Sequence, residues 1–139
     1  MLLTITILLL LQVLFNVINS RIDAFLILKN KTIAHAVNFG AYAVLVAVQA
    51  IYWHPVWWMV ILFCSNAFFN RQVSFDIPLN LRRRKTDKTI TWYYVSRAKP
   101  PKAITDRVEI YVFGYNGRAI TLSYIFLLLV NTAALYILN

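Results

Sequence analysis

The first twenty residues of the chain carry no charged side chain, and the stretch 2–20 is dominated by leucine, isoleucine and valine. A helix needs about 20 mostly apolar residues to cross roughly 30 Å of hydrocarbon. A run of that length constrains the fold more than any other feature here, and runs of similar character follow at 33–53, 55–70 and 119–138. Hydrophobic residues make up 60% of the 139 and charged residues only 14%. Soluble domains hold about 45–50% and roughly 25%. The sequence therefore reads as a small polytopic membrane protein rather than a water-soluble domain or a disordered chain.

The expected fold is an all-α membrane protein with four transmembrane helices in a single domain, the inner segment 71–118 lying between the third and fourth. The first helix has room to run on through Arg21 and Asp23 to about Leu28. Thr32 is placed to cap the second helix, and His54-Pro55 reads as a tight turn, since proline suits a first helical turn. Residues 1–20 lack the basic start of a secretory signal. The best cleavage point, after Ser20, has bulky Ile18 where a small residue is needed, so a retained helix is expected. The single cysteine, Cys64, lies in an apolar stretch and leaves no internal disulfide.

Charge then orients the helices. Lysine and arginine number 14 against five acidic residues, a net charge of +9. Arg21, Lys29 and Lys31 flank the first turn; the remaining eleven fall between the third and fourth apolar runs. Four spans put both basic connections on one side, and the positive-inside rule makes that side cytoplasmic, with both termini outside. Three spans would split the basic segments or strand an apolar run. Trp53, Trp57 and Trp58 at the outer turn, with Trp92, Tyr93 and Tyr94 in the inner connection, suit headgroup depth as interfacial anchors.

The inner segment carries most of the chemistry. Residues 70–80 read as a helical extension lying along the membrane surface, and Thr89 to Val95, β-branched and aromatic, as extended. Lys99-Pro100-Pro101-Lys102 is a stiff link. Asp106 and Glu109 mark a helix start, after which Val108, Ile110, Tyr111 and Phe113 form an interfacial face ahead of Gly114 and Gly117. Arg82, Arg83, Arg84, Lys85, Lys88, Arg97, Lys99 and Lys102 are the candidates for an anionic partner. Acidic lipid headgroups come first, because clustered cations beside a span gain about 1 kcal/mol each at an anionic leaflet. Nucleic acid comes second, with Trp92, Tyr93 and Tyr94 able to stack bases. The plainer alternative is that these cations only set topology.

Polar residues recur inside the spans. Gln12, Asn16, Asn19 and Asp23 share one face of the first helix, His35, Asn38, Tyr42 and Gln49 one face of the second. Asn66 and Asn70 lie one turn apart in the third, and Asn131 and Thr132 fall in the fourth. Such groups point into a bundle, where interhelical bonds act mainly as glue. At the inner end, Asp23, His35, Asn38, Asn70, Arg71, Asp76, Asn80, Asp106 and Arg107 form a candidate polar cluster, with ion pairs such as Arg71–Asp76 or Arg107–Asp23 as the economical reading. His35 with carboxylates is a thin metal set: there is no HExxH, and His54 lies at the opposite face. No G-x-S-x-G elbow occurs, and three glycines leave no phosphate loop. No cofactor is implied.

Phe75-Asp76, Leu79-Asn80 and Arg82, then Trp92-Tyr93-Tyr94-Val95-Ser96, then Thr105-Asp106-Arg107 resemble a pattern in small multi-span membrane proteins of bacterial phages and prophages. The resemblance covers about residues 33–118. Arg82-Arg83-Arg84-Lys85 stands where those proteins carry Arg-Gly. The resemblance implies a shared inner-face arrangement of Asp76, Asn80, Tyr94 and Asp106, and a bacterial inner membrane or virion membrane as the setting. It implies no reaction. Three functions stay open: a structural or interaction component engaging anionic lipid, nucleic acid or a protein partner; a holin-like pore built of several copies; and a metal-dependent enzyme acting on lipid headgroups through His35, Asp76 and Asp106.

Overall fold

The computed structural model describes residues 2–29, 35–53, 56–93 and 104–138, with backbone alone for 35, 36 and 104–106. Five helices lie among these residues: α1 (Leu2–Leu28), α2 (His35–Trp53), α3 (Trp57–Thr86), α4 (Ile104–Phe113) and α5 (Gly117–Leu138). Thr32, His54 and Pro55, the expected cap and turn, lie outside the described residues.

α1 and α5 are long and apolar enough to cross a membrane, and the apolar run of α2, Val37–Trp53, is shorter. α3 is mostly apolar in its first half, alternates polar and apolar residues through much of its second, and carries Arg83, Arg84 and Lys85 in its last turn. That ending suits the negative end of a helix dipole. α1 continues past Arg21 to Leu28.

Hydrogen-bonded pairs give the helix directions. Gln12 meets Asn70 and Asn16 meets Ser74, so α1 and α3 run parallel. Asp23 meets Asn38 and Gln12 meets Gln49, so α2 runs antiparallel to α1. Asn66 meets Thr132, and Phe68 and Phe69 meet Tyr124, so α5 runs antiparallel to α3. α3 is thus the central helix, with α1 and α5 packed along it. The basic ends of α1 and α3 fall at one end of the bundle, called the inner end below.

The core joins Leu8, Tyr42, Val46, Phe63, Ala67 and Leu135. A second cluster, Ala24, Phe75 and Leu79, lies nearer the inner end. It corrects one expectation. Residues 70–80 continue α3 through Pro78 and bury Asn70, Ser74, Phe75 and Leu79 in the bundle rather than lying apart along a surface. Packing against the extended end of α1 supplies the reason, outweighing the hydrogen bond that Pro78 cannot donate. A second correction concerns Thr89 to Val95. Through Tyr93 this stretch is turn and bend, not extended strand. Asp87 accepts from the Thr89 backbone at 3.0 Å and from its hydroxyl at 2.6 Å. An aspartate bonded to the backbone two residues on sets a turn that β propensity does not override.

α4 exposes Val108, Tyr111 and Val112, and Gly114 takes φ +61° to turn the chain into α5. Asn116 caps α5 by accepting from the Ala119 N–H at 3.1 Å. Glu109, buried against α5, accepts a hydrogen bond from the Tyr124 hydroxyl.

Candidate functional site

The inward face of α1 carries a polar ladder. Gln12, Asn16, Ser20 and Asp23 are all fully buried; Asn19 is half-buried at the edge, and Ser20 takes the place the spacing assigned to it. Gln12 is the hub. Its amide donates to Gln49 Oε1 at 2.8 Å, and its carbonyl accepts from Tyr42 Oη and Asn70 Nδ2, each at 3.3 Å. Tyr42 also donates to the Ala67 carbonyl at 2.9 Å, and Gln49 to that of Leu8 at 3.1 Å. One turn inward, Asn16 donates to Ser74 Oγ at 2.9 Å; one turn outward on α3, Asn66 donates to Thr132 Oγ1 at 2.8 Å. The amide oxygens of Asn16, Asn66 and Asn70 are buried with no donor among the described residues. The ladder therefore has no donor to spare, and it cross-links four helices within one chain.

The structure divides the expected inner-face cluster. Asn38 donates to Asp23 Oδ1 at 2.8 Å. The Arg71 guanidinium lies 3.5 Å from the centre of the Phe75 ring. Half-burial draws its pKa below the ordinary arginine value, opposed by Asp76, Tyr42 and Asp23. Asn80 belongs to a different contact, donating to the Tyr93 carbonyl at 3.2 Å. Arg107 is exposed on α4. The side chains of His35 and Asp106 lie outside the described residues, and among those described no group of three His, Cys, Asp or Glu is placed to hold a metal.

The basic run forms a second feature. After α3 ends, the Asp87 turn folds the chain back so that Arg84, Lys88, Ile90, Thr91, Trp92 and Tyr93 enclose a cavity of about 290 Å³. Ile90 is buried beneath it, and Trp92 meets Tyr93 edge-on, ring centres 5.6 Å apart. Arg82 and Lys85 are exposed beside it and Arg83 is half-buried. Two cations and two aromatic rings around a half-polar hollow suit a phosphate with an apolar neighbour. Tyr94, Arg97, Lys99 and Lys102 lie outside the described residues. At the other end of the bundle Trp57 and Trp58 are exposed, whereas Trp53 packs on Phe63, ring centres 5.5 Å apart.

Asn80 pins this hollow, together with Thr91, whose hydroxyl reaches the same Tyr93 carbonyl at 3.1 Å. Asn80→Ala removes one hydrogen bond, worth about 1 kcal/mol. Amide exchange at residues 91–93 is expected to quicken about fivefold while the helices keep their protection. Unchanged exchange there would show that Thr91 and Ile90 suffice. Asp87, Ile90 and Thr91 escaped the sequence reading, although Asp87-Lys88-Thr89 carried the turn signal. Ser20 and Ser74 escaped it too, being common residues whose role depends on a distant partner. Comparison with family models, curated proteins and solved structures finds no match to this chain.

Proposed function

We propose that this chain is a small integral membrane protein with a structural or interaction role, whose basic inner face binds anionic lipid. In this reading four helices span the membrane, both termini face outward, and the inner end lies in the cytoplasm or virion interior. The outward faces support it: Leu3, Leu10 and Leu14 on α1, Val44 and Val48 on α2, Ile61 on α3 and Phe126 and Leu129 on α5 are all exposed. Apolar cover of that extent is costly in water and ordinary in lipid. The parallel course of α1 and α3 supports the orientation, because it sets Arg21 and Lys29 at the same end as Arg82 to Lys85.

The cavity between Arg84, Lys88, Trp92 and Tyr93 carries the lipid reading. Arginine's planar fork matches phosphate oxygens, and tryptophan and tyrosine sit naturally at headgroup depth. A phage-encoded context and nucleic acid as partner rest on the short-motif resemblance and the net charge.

Vesicle flotation tests it. Converting Arg82, Arg83, Arg84 and Lys85 to Gln in the reconstituted chain is expected to weaken recruitment of free anionic vesicles by up to about a thousandfold, at about 1 kcal/mol per cation, and to flatten its salt dependence. Recruitment unchanged in strength and salt response would overturn the lipid role. Competition by single-stranded nucleic acid at sub-stoichiometric lipid would replace it with the nucleic-acid one.

A further inference from the structure

α2 and α3 do not close on each other along their whole length. Between them runs a groove of about 250 Å³, lined on α2 by Phe39, Ala43 and Ala47 and on α3 by Cys64, Phe68 and Arg71. Buried Tyr42, Val46 and Ala67 make its floor, and the exposed Phe39, Ala43, Ala47 and Cys64 its rims. The Tyr42 hydroxyl is turned inward to Gln12 and Ala67, so its ring is what the groove meets. The lining is apolar except at the inner end, where Arg71 closes it.

We propose that this groove holds one acyl chain of an anionic phospholipid whose phosphate is met by Arg71. The proposal rests on the membrane reading above. Shape argues for a lipid chain over a second copy of the protein: a thin unbranched chain can lie in a narrow slot, whereas a helix with its side chains is about 10–12 Å across and could only lay side chains over it. Polarity agrees. An arginine at the end of an apolar slot near the hydrocarbon boundary needs an anion or water, and it offers five N–H donors in a planar fork suited to phosphate. The guanidinium carbon lies 3.5 Å from the centre of the Phe75 ring, so the cation is held against an aromatic ring at the end of the groove. Asp76 on α3 and Asp23 on α1 act on the same group. These carboxylates compete with a bound phosphate, so the expected preference is a few-fold rather than orders of magnitude. Cys64 stands two helical turns from Arg71, about 10 Å along α3, level with the middle of a bound chain.

The test reconstitutes the full chain in bilayers containing phosphatidylglycerol or phosphatidylcholine with a photoactivated diazirine at mid-chain, and maps the cross-links by mass spectrometry. Cross-links to the peptides holding residues 43–47 and 64–68 are expected at least threefold more often from phosphatidylglycerol. Arg71→Gln should equalise the two lipids, and Arg71→Lys should keep part of the preference. Ala47→Phe should fill the slot and remove both, leaving cross-links on the outward faces of α1 and α5 unchanged. Equal yields from both lipids in the unaltered chain would overturn the headgroup assignment. Disulfide-linked dimers through Cys64, formed when a copper–phenanthroline oxidant is added to the same bilayers, in place of lipid cross-links in the groove would overturn the acyl chain in favour of a second copy. Lipid cross-links on α1 and α5 without any in the groove defeat this proposal alone; their absence everywhere defeats the membrane reading as well.

Discussion

Gln12→Leu is expected to cost the bundle about 2–4 kcal/mol, the largest effect of any single substitution considered for this chain. The change removes a hydrogen bond to each of three helix positions, Gln49 and Tyr42 on α2 and Asn70 on α3. Tyr42 keeps the Ala67 carbonyl, but the Asn70 amide and Gln49 Oε1 lose the partner they share in Gln12. Each buried polar group left unsatisfied costs about 1–3 kcal/mol in general. Interhelical bonds in a bilayer average nearer 0.6 kcal/mol, because the separated helices find other partners. The expected figure lies between these limits. Unfolding of the detergent-solubilised chain measures it, with Asn131→Leu as the control. Among the described residues Asn131 donates only to Leu127 of its own helix, at 3.1 Å, and its loss should stay within about 0.5 kcal/mol. Equal effects at the two positions would mean that the ladder does not hold the helices together.

The second large effect is expected at Phe63. Its side chain is fully buried where α1, α2, α3 and α5 meet, against Leu8, Val46, Leu135 and the Trp53 ring. In the membrane setting proposed above, the transfer contribution that dominates soluble cores is largely missing, since the space outside the bundle is as apolar as the inside. What Phe63→Ala loses is packing. At about 24 cal/mol per Å³ of cavity, a phenyl-sized hole costs about 2–3 kcal/mol. Ile61, two residues earlier and 60% exposed, provides the comparison. Ile61→Ala should change stability by less than about 0.5 kcal/mol in detergent. A loss at Ile61 matching that at Phe63 would identify the outward face of α3 as an interface between copies.

Both predictions show where a reading of this sequence succeeds and where it stops. The polar stripe of α1 was legible from the spacing of Gln12, Asn16 and Asp23 alone, as was the face of α2 that bears Asn38, Tyr42 and Gln49. Nothing in the sequence said that Gln12 would meet three partners while Asn131, an equally polar residue in an equally apolar run, would meet only its own helix. The basic run was legible as a cluster of charge. That it folds back on Trp92 and Tyr93 depends on Asp87 and Asn80, which look ordinary in the sequence. The groove was not legible at all, because alanines 43, 47 and 67 read as neutral helix formers until two helices are laid side by side.

By itself, then, the sequence determined the helical character, the approximate extent of the apolar runs, the reach of α1 toward Leu28 and the gathering of the cations into two segments. These follow from residue type and spacing along one helix, quantities that involve no distant part of the chain. The tertiary structure decided the rest. It carried α3 unbroken through Pro78 to Thr86, turned Thr89 to Tyr93 away from an extended path, exchanged Ser20 for Asn19 on the buried stripe, and divided the inner-face residues between Asp23 with Asn38 and Asn80 with Tyr93. The Asp87 turn apart, each of these outcomes turns on a contact between residues on different helices or across the inner loop. The energy of such a contact depends on which surfaces packing brings together.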